Sequence, residues 1–117
     1  MDKVSNPFDM IYPEDFSAMA LSFPGTEQAP HFERMAFRVV KKRIFATLDF
    51  KSNTANLMLN LAEQASFSEF VPEGIFPLPN KWGQKGWTTF DLRVVSKEVL
   101  QEALLSAYSD IIGPKSK

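Results

Sequence analysis

The chain predicts an α+β fold of two layers, an antiparallel sheet with its N- and C-terminal helices packed on one face. Three observations carry that expectation. Apolar residues near each end recur at helical spacing, those between them largely alternate, and the first helix and the first hairpin are bounded by a Pro-Gly turn and a charged turn. The length of 117 residues suits one domain, read as 13–113 behind an N-terminal extension at 1–12.

The first helix is expected from Pro13, whose fixed φ and missing N–H suit a first turn. Glu14 and Asp15 follow where the helix dipole favours acid. Phe16, Met19, Ala20 and Phe23 form one apolar stripe, and Pro24-Gly25 suits the centre of a type II turn. From Phe32 the period becomes two. Met35, Phe37 and Val39 alternate with Arg34, Ala36 and Arg38; after Lys41-Lys42-Arg43, Ile44, Ala46, Leu48 and Phe50 oppose Arg43, Phe45, Thr47 and Asp49. A third strand sets Leu57, Leu59 and Leu61 against Asn56, Met58 and Asn60.

Residues 62–70 read as a short helix with Ala62, Ala65, Phe67 and Phe70 as its apolar members. Ile75-Phe76-Pro77-Leu78, interrupted by proline, fits only an edge or irregular strand. A loop from Pro79 to Gly86 leads to a strand with Thr88, Phe90, Leu92 and Val94 on one face and Trp87, Thr89 and Asp91 on the other. Ser96 is a good N-cap for a last helix with Val99, Leu100, Ala103, Leu104, Ala107, Tyr108 and Ile111 on one stripe. Gly113-Pro114 closes it. The expected order is helix, three-strand meander, helix, hairpin, helix, with one core that includes Leu48, Phe50, Leu57, Leu59, Phe90, Leu92, Leu100 and Leu104.

The bulk numbers exclude several classes. Hydrophobic content of 44% and charged content of 23% are ordinary globular values. No apolar run approaches the ~20 residues that cross a bilayer, so no membrane partner is expected. The first residues lack the basic and apolar segments of a secretory signal, and the absence of cysteine excludes disulfides and thiolate metal sites; a cytoplasmic location is expected. A net charge of −1 argues against a protein that coats nucleic acid broadly. Charge is nevertheless uneven. Residues 33–51 carry Arg34, Arg38, Lys41, Lys42, Arg43 and Lys51 against Glu33 and Asp49, while residues 1–32 carry Lys3 against five acids.

No catalytic centre is expected. His31 is the one histidine, read in a helix-to-strand loop, and no Gly-x-Ser-x-Gly elbow holds a serine. Gly83-x-x-Gly86 precedes a strand, so it lacks the helix N-terminus of a phosphate loop. Glu14 and Asp15 are explained by capping. The expectation is a non-enzymatic binding module with no cofactor and no metal.

Alternation assigns Arg34, Arg38, Arg43, Phe45, Thr47, Asn56, Met58, Trp87 and Thr89 to the outer sheet face. Arginine among aromatics suits nucleic acid, with guanidinium for phosphate and rings for bases. It equally suits a protein interface, and the same rings could simply pack on one another. The basic tip Lys41-Lys42-Arg43 and the loop from Lys81 to Gly86, with Lys81 and Lys85, read as projecting elements. The candidates for phosphate are therefore Arg34, Arg38, Lys41, Lys42, Arg43, Lys81 and Lys85; those for an interaction surface are Phe45, Trp82 and Trp87.

Several strings resemble the MmcQ/YjbR family of small bacterial proteins. They are Ala20-Leu21-Ser22-Phe23-Pro24-Gly25, Pro30-His31-Phe32, Ala36-Phe37-Arg38-Val39, Arg43-Ile44-Phe45-Ala46-Thr47-Leu48, the run from Lys81 to Thr88, and Asp91-Leu92. The resemblance spans about residues 14–111. It implies a fold similar to the bacterial frataxin homologue and a "double wing" mode of weak DNA binding, with Arg38, Arg43, Lys81, Trp82 and Trp87 carried over as surface candidates. The alternative is a protein- or small-ligand module built on Trp82 and Trp87. Many relatives have Gly-Gly-Lys where this chain has Lys41-Lys42-Arg43. The acidic first-helix ridge of frataxin is represented only by Glu14 and Asp15, so the resemblance brings no iron role.

Overall fold

The computed structural model describes residues 10–113; positions 1–9 of the expected extension, and Pro114 of the expected helix stop, lie outside the described residues. Helix α1 spans Pro13–Leu21. The Asp15 carboxylate accepts from the Tyr12 N–H at 2.9 Å, satisfying a donor that a first turn leaves orphaned. Phe16 and Ala20 are buried, as the stripe predicts, and so is Ile11 just ahead of the helix. Gly25, at φ +77, supplies the left-handed residue that a type II turn requires.

The next element escapes sequence reading. Strand β1, Thr26–His31, pairs antiparallel with β2, Arg34–Val39, so His31 ends a strand instead of lying in a loop. Its sequence does not alternate because it is an edge strand with most side chains exposed. Backbone pairing holds it, and Pro30 is tolerated at an edge. Strands β3, Ile44–Asp49, and β4, Thr54–Met58, make the meander four strands rather than three. Helix α2, Leu61–Phe70, precedes β5, Ile75–Pro77; a single turn, α3, Lys81–Gln84, precedes β6, Trp87–Asp91; and α4 spans Lys97–Ile112. The six strands lie in the order β1-β2-β3-β4-β6-β5, all antiparallel.

The core lies between the inner sheet face and helices α1, α2 and α4. Phe37, Leu48, Leu57 and Phe90 from the strands meet Phe16 from α1 and Leu100 and Leu104 from α4, all fully buried. Ser96 Oγ accepts from Val99 N at 3.2 Å and opens α4 as expected. At the far end of that helix, Tyr108 stacks on Phe23 at 4.7 Å and donates its hydroxyl to the Pro24 carbonyl at 2.8 Å. The two terminal helical segments are thereby tied together.

Four assignments need correction. Phe45 is an inner-face residue with 0% exposure, packed edge-on against Tyr108. The cause is a β-bulge: Phe37 pairs with Ala46, but the next residue, Arg38, pairs with Ile44. Phe45 is the extra residue and turns inward, while Ile44 turns out beside Ala36 and Arg38. Phe50 is 51% exposed, because β3 ends at Asp49 and Phe50 begins the turn. Leu61 is exposed at the start of α2, with Asn60 as the N-cap that accepts from Glu63 N at 2.8 Å. On α2 itself, Ala62, Ala65 and Phe70 face outward; the buried residue is Gln64, with Phe67 packed edge-on to Phe90.

Candidate nucleic-acid interface

The outer sheet face is built by the residues that cross-strand pairing aligns with Arg34, Ala36 and Arg38. Ala36 pairs with Thr47, Thr47 with Asn56, and Asn56 with Thr89; the adjoining row ends in Met58 opposite Trp87. Among the described residues, α1, α2 and α4 all pack on the opposite side. The outer face is polar at its centre and aromatic toward β6.

The arginines on the strands are already engaged. Arg38 Nε donates to Glu27 Oε2 at 2.6 Å, a partner supplied by the unexpected strand β1. Arg34 Nε donates to Thr47 Oγ1 at 2.8 Å, and its Nη1 lies 3.7 Å from Asp49. Burial pulls the Arg34 pKa down and Asp49 acts against it. Asp49 is held below its ordinary value chiefly by the Ser52 hydroxyl; burial, next in size, opposes this, and the Lys51 N–H and Arg34 add to the lowering. These pairs occupy both strand arginines, although only Glu27 brings an acid from outside residues 33–51.

The other five phosphate candidates lie at one end of the sheet, while Lys51 lies in the β3–β4 turn at the opposite end. The hairpin tip Lys41-Lys42-Arg43 is exposed, directly before β3. Ala46 at the start of β3 pairs with Leu57 at the end of β4, and Leu57 pairs with Thr88 at the start of β6. The tip and α3 therefore emerge at the same end of the sheet, two strand spacings or about 10 Å apart. Lys81 and Lys85 are exposed there, and Lys85 Nζ lies 5.5 Å from the centre of the Trp82 ring. Among the described residues, none of these five cations is in an ion pair.

The segment from Lys81 to Gly86 does not project as a wing. It is a helical turn docked on the body, with Gly83 and Gly86 buried and the lysines outward. Asn80 caps it by accepting from Trp82 N at 2.9 Å. A Cβ on Gly83 would stand 1.9 Å from the Leu78 carbonyl oxygen, and one on Gly86 2.0 Å from that of Leu59. Only glycine permits either approach. Gln64 then fastens the turn from below, its Nε2 donating to Gly83 O at 2.9 Å, Thr88 Oγ1 at 3.1 Å and Trp87 O at 3.3 Å.

The Trp-Gly-x-x-Gly-Trp string is thus a device that sets two indoles beside the sheet. A family model described as YjbR matches residues 21–110, which takes in every strand and this string. The chain belongs to the YjbR family. This YjbR-family chain also resembles the crystal structure of Deinococcus radiodurans protein DR2400, described with a DUF419 domain. The TM-score is 0.71 at 24% identity, covering 86% of this chain and 78% of that one. At that identity the likeness shows the fold. No curated protein of described function matches the chain in sequence.

Trp82 and Trp87 border a hollow of about 220 Å³ on the outer face, together with His31, Thr47, Asn56 and Leu78. Of the expected surface residues, the fold brings Trp82 and Trp87 together and removes Phe45 to the core. Of the expected phosphate ligands, it gathers Lys41, Lys42, Arg43, Lys81 and Lys85 and diverts Arg34 and Arg38 into ion pairs. Sequence reading missed Glu27, Gln64 and Phe32. A two-residue spacing between His31 and Arg34 would have marked a hairpin around Phe32, had β1 been seen. Among the described residues, no three His, Asp or Glu side chains gather where they could hold a metal ion, and no helix is long and apolar enough to cross a membrane.

Proposed function

We propose that this YjbR-family chain is a non-enzymatic module that binds DNA weakly through Lys41, Lys42, Arg43, Lys81 and Lys85. One observation carries the reading: strand register brings both basic segments to the same end of the sheet, where none of their cations is in an ion pair among the described residues. Their separation of about 10 Å is comparable to the ~12 Å width of a DNA major groove. Few cations and a neutral-to-acidic remainder limit affinity to about micromolar or weaker at physiological salt. The expected location is the cytoplasm, which a cysteine-free chain suits.

The test is duplex binding by the triple variant Lys41→Ala, Lys42→Ala, Arg43→Ala. It loses binding while its melting temperature holds, because exposed turn charges contribute little to folding. Arg38→Ala, by contrast, leaves duplex affinity nearly unchanged. A triple variant that binds as tightly as the wild type would sink the proposal.

The hollow beside Trp82 and Trp87 supports a second reading, a protein- or small-ligand module. Trp87→Ala separates the two. A partner seated on the ring is lost with it, whereas duplex phosphate contacts survive.

A further inference from the structure

Three features of the outer face are not used by phosphate contacts. The first is Phe32. It lies 94% exposed in the two-residue turn between β1 and β2, at φ +59, a backbone region that bulky L residues rarely adopt. Its ring stands edge-on to His31 at 4.8 Å, and His31 is itself a wall of the hollow. A ring 94% exposed in a glycine-preferred conformation adds little to the fold beyond its edge contact with His31, and such strain clusters at ligand contacts.

The second is Asn56, which lines the hollow. Its Oδ1 accepts from Thr89 Oγ1 at 2.8 Å, which fixes the amide so that the Nδ2 donors remain without a partner among the described residues. The third is the pair of indoles, with Trp82 52% exposed and Lys85 beside it. Ring faces, a fixed amide donor and flanking cations are together what an unpaired base and its phosphate need. A base inside a duplex cannot present its face to any of these rings.

We infer that the preferred ligand is single-stranded DNA, laid across the outer face from the cationic end toward Phe32. Its phosphates meet Lys81 and Lys85, one base enters the Trp82/Trp87 hollow within reach of Asn56, and another stacks on Phe32. From the start of β6 to the start of β2 the path crosses three strand spacings, about 14 Å, and one strand length, about 20 Å, so it is roughly 25 Å long and enough for a few nucleotides. This deepens the DNA-binding reading above and rests on it.

The chain has two tryptophans, and both border the hollow, so intrinsic fluorescence reports on this site. Titration with an oligothymidylate of about 12 nucleotides at low salt is expected to quench it. Phe32→Gly is expected to weaken oligothymidylate binding about tenfold, with duplex affinity kept within about twofold. Since glycine suits that φ, the variant melts no lower than the wild type. Fluorescence indifferent to oligothymidylate, or Phe32→Gly binding it as the wild type does, overturns the inference. If duplex binding still depends on the 41–43 tip in that case, the phosphate-binding reading stands and the single-strand inference alone falls. If neither form binds, both fall.

Discussion

The two faces of the same sheet are organised by opposite rules. On the inner face, Phe37, Phe45, Leu48, Leu57 and Phe90 are fully buried under helices, and the bulge at Phe45 adds a ring that strict alternation would have left outside. On the outer face, Arg34, Thr47, Asn56 and Thr89 bond to one another or to acids, and the aromatic rings collect at the borders. The inner face therefore sets stability. The outer face buries less of its aromatic surface, so substitution of its rings is expected to cost less.

Substitutions should break that contrast in a graded way. Phe45→Ala removes a ring from the core and is expected to cost about 3–5 kcal/mol, read by chemical denaturation. A cost near zero would return Phe45 to the surface and remove the bulge from the account. Leu104→Ala, on the helix facing that ring layer, is expected to cost about 2–5 kcal/mol in the same assay. Gln64→Ala strips the donors beneath α3 and leaves the Gly83 carbonyl and Thr88 with fewer partners. The expected loss is about 1–3 kcal/mol, accompanied by a shift in tryptophan emission as the turn loosens.

Outer-face changes should be smaller. Phe32→Gly relieves a left-handed side chain at the cost of a more flexible unfolded chain, for a net gain of about 1 kcal/mol or less. Asp49 should show in an acid titration. Its pKa is depressed in the folded state, so its contribution is complete above its unfolded value of about 4 and is lost as pH falls through the folded value. Asp49→Asn should flatten that part of the acid limb by lowering stability slightly at neutral pH, where the wild-type contribution is complete, while the two proteins converge at low pH.

The same contrast explains what was legible in the sequence. Periodicity reports burial, so the inner-face stripes of α1, α4, β2 and β4 could be read directly. Strand β1 could not, because Thr26-Glu27-Gln28-Ala29-Pro30-His31 buries little and is held by backbone pairing to β2. The bulge was equally silent, since either Ile44 or Phe45 could occupy the inner position on hydrophobicity alone. Missing β1 also hid Glu27, and with it the neutralisation of Arg38. The basic residues were visible, but which of them stay unpaired depends on that strand. Lys41 sits at φ +69, where a glycine would fit without strain. This chain has a cation at that turn instead, which agrees with a role in contacting phosphate.

The salt dependence of duplex DNA binding tests the central claim most directly. If three or four of the five gathered cations contact phosphate, log Kd plotted against log salt should rise with a slope of about 3 to 4. In the triple variant Lys41→Ala, Lys42→Ala, Arg43→Ala, the slope should drop by about 2 to 3. A wild-type slope near zero, or one that the triple variant shares, would contradict the account.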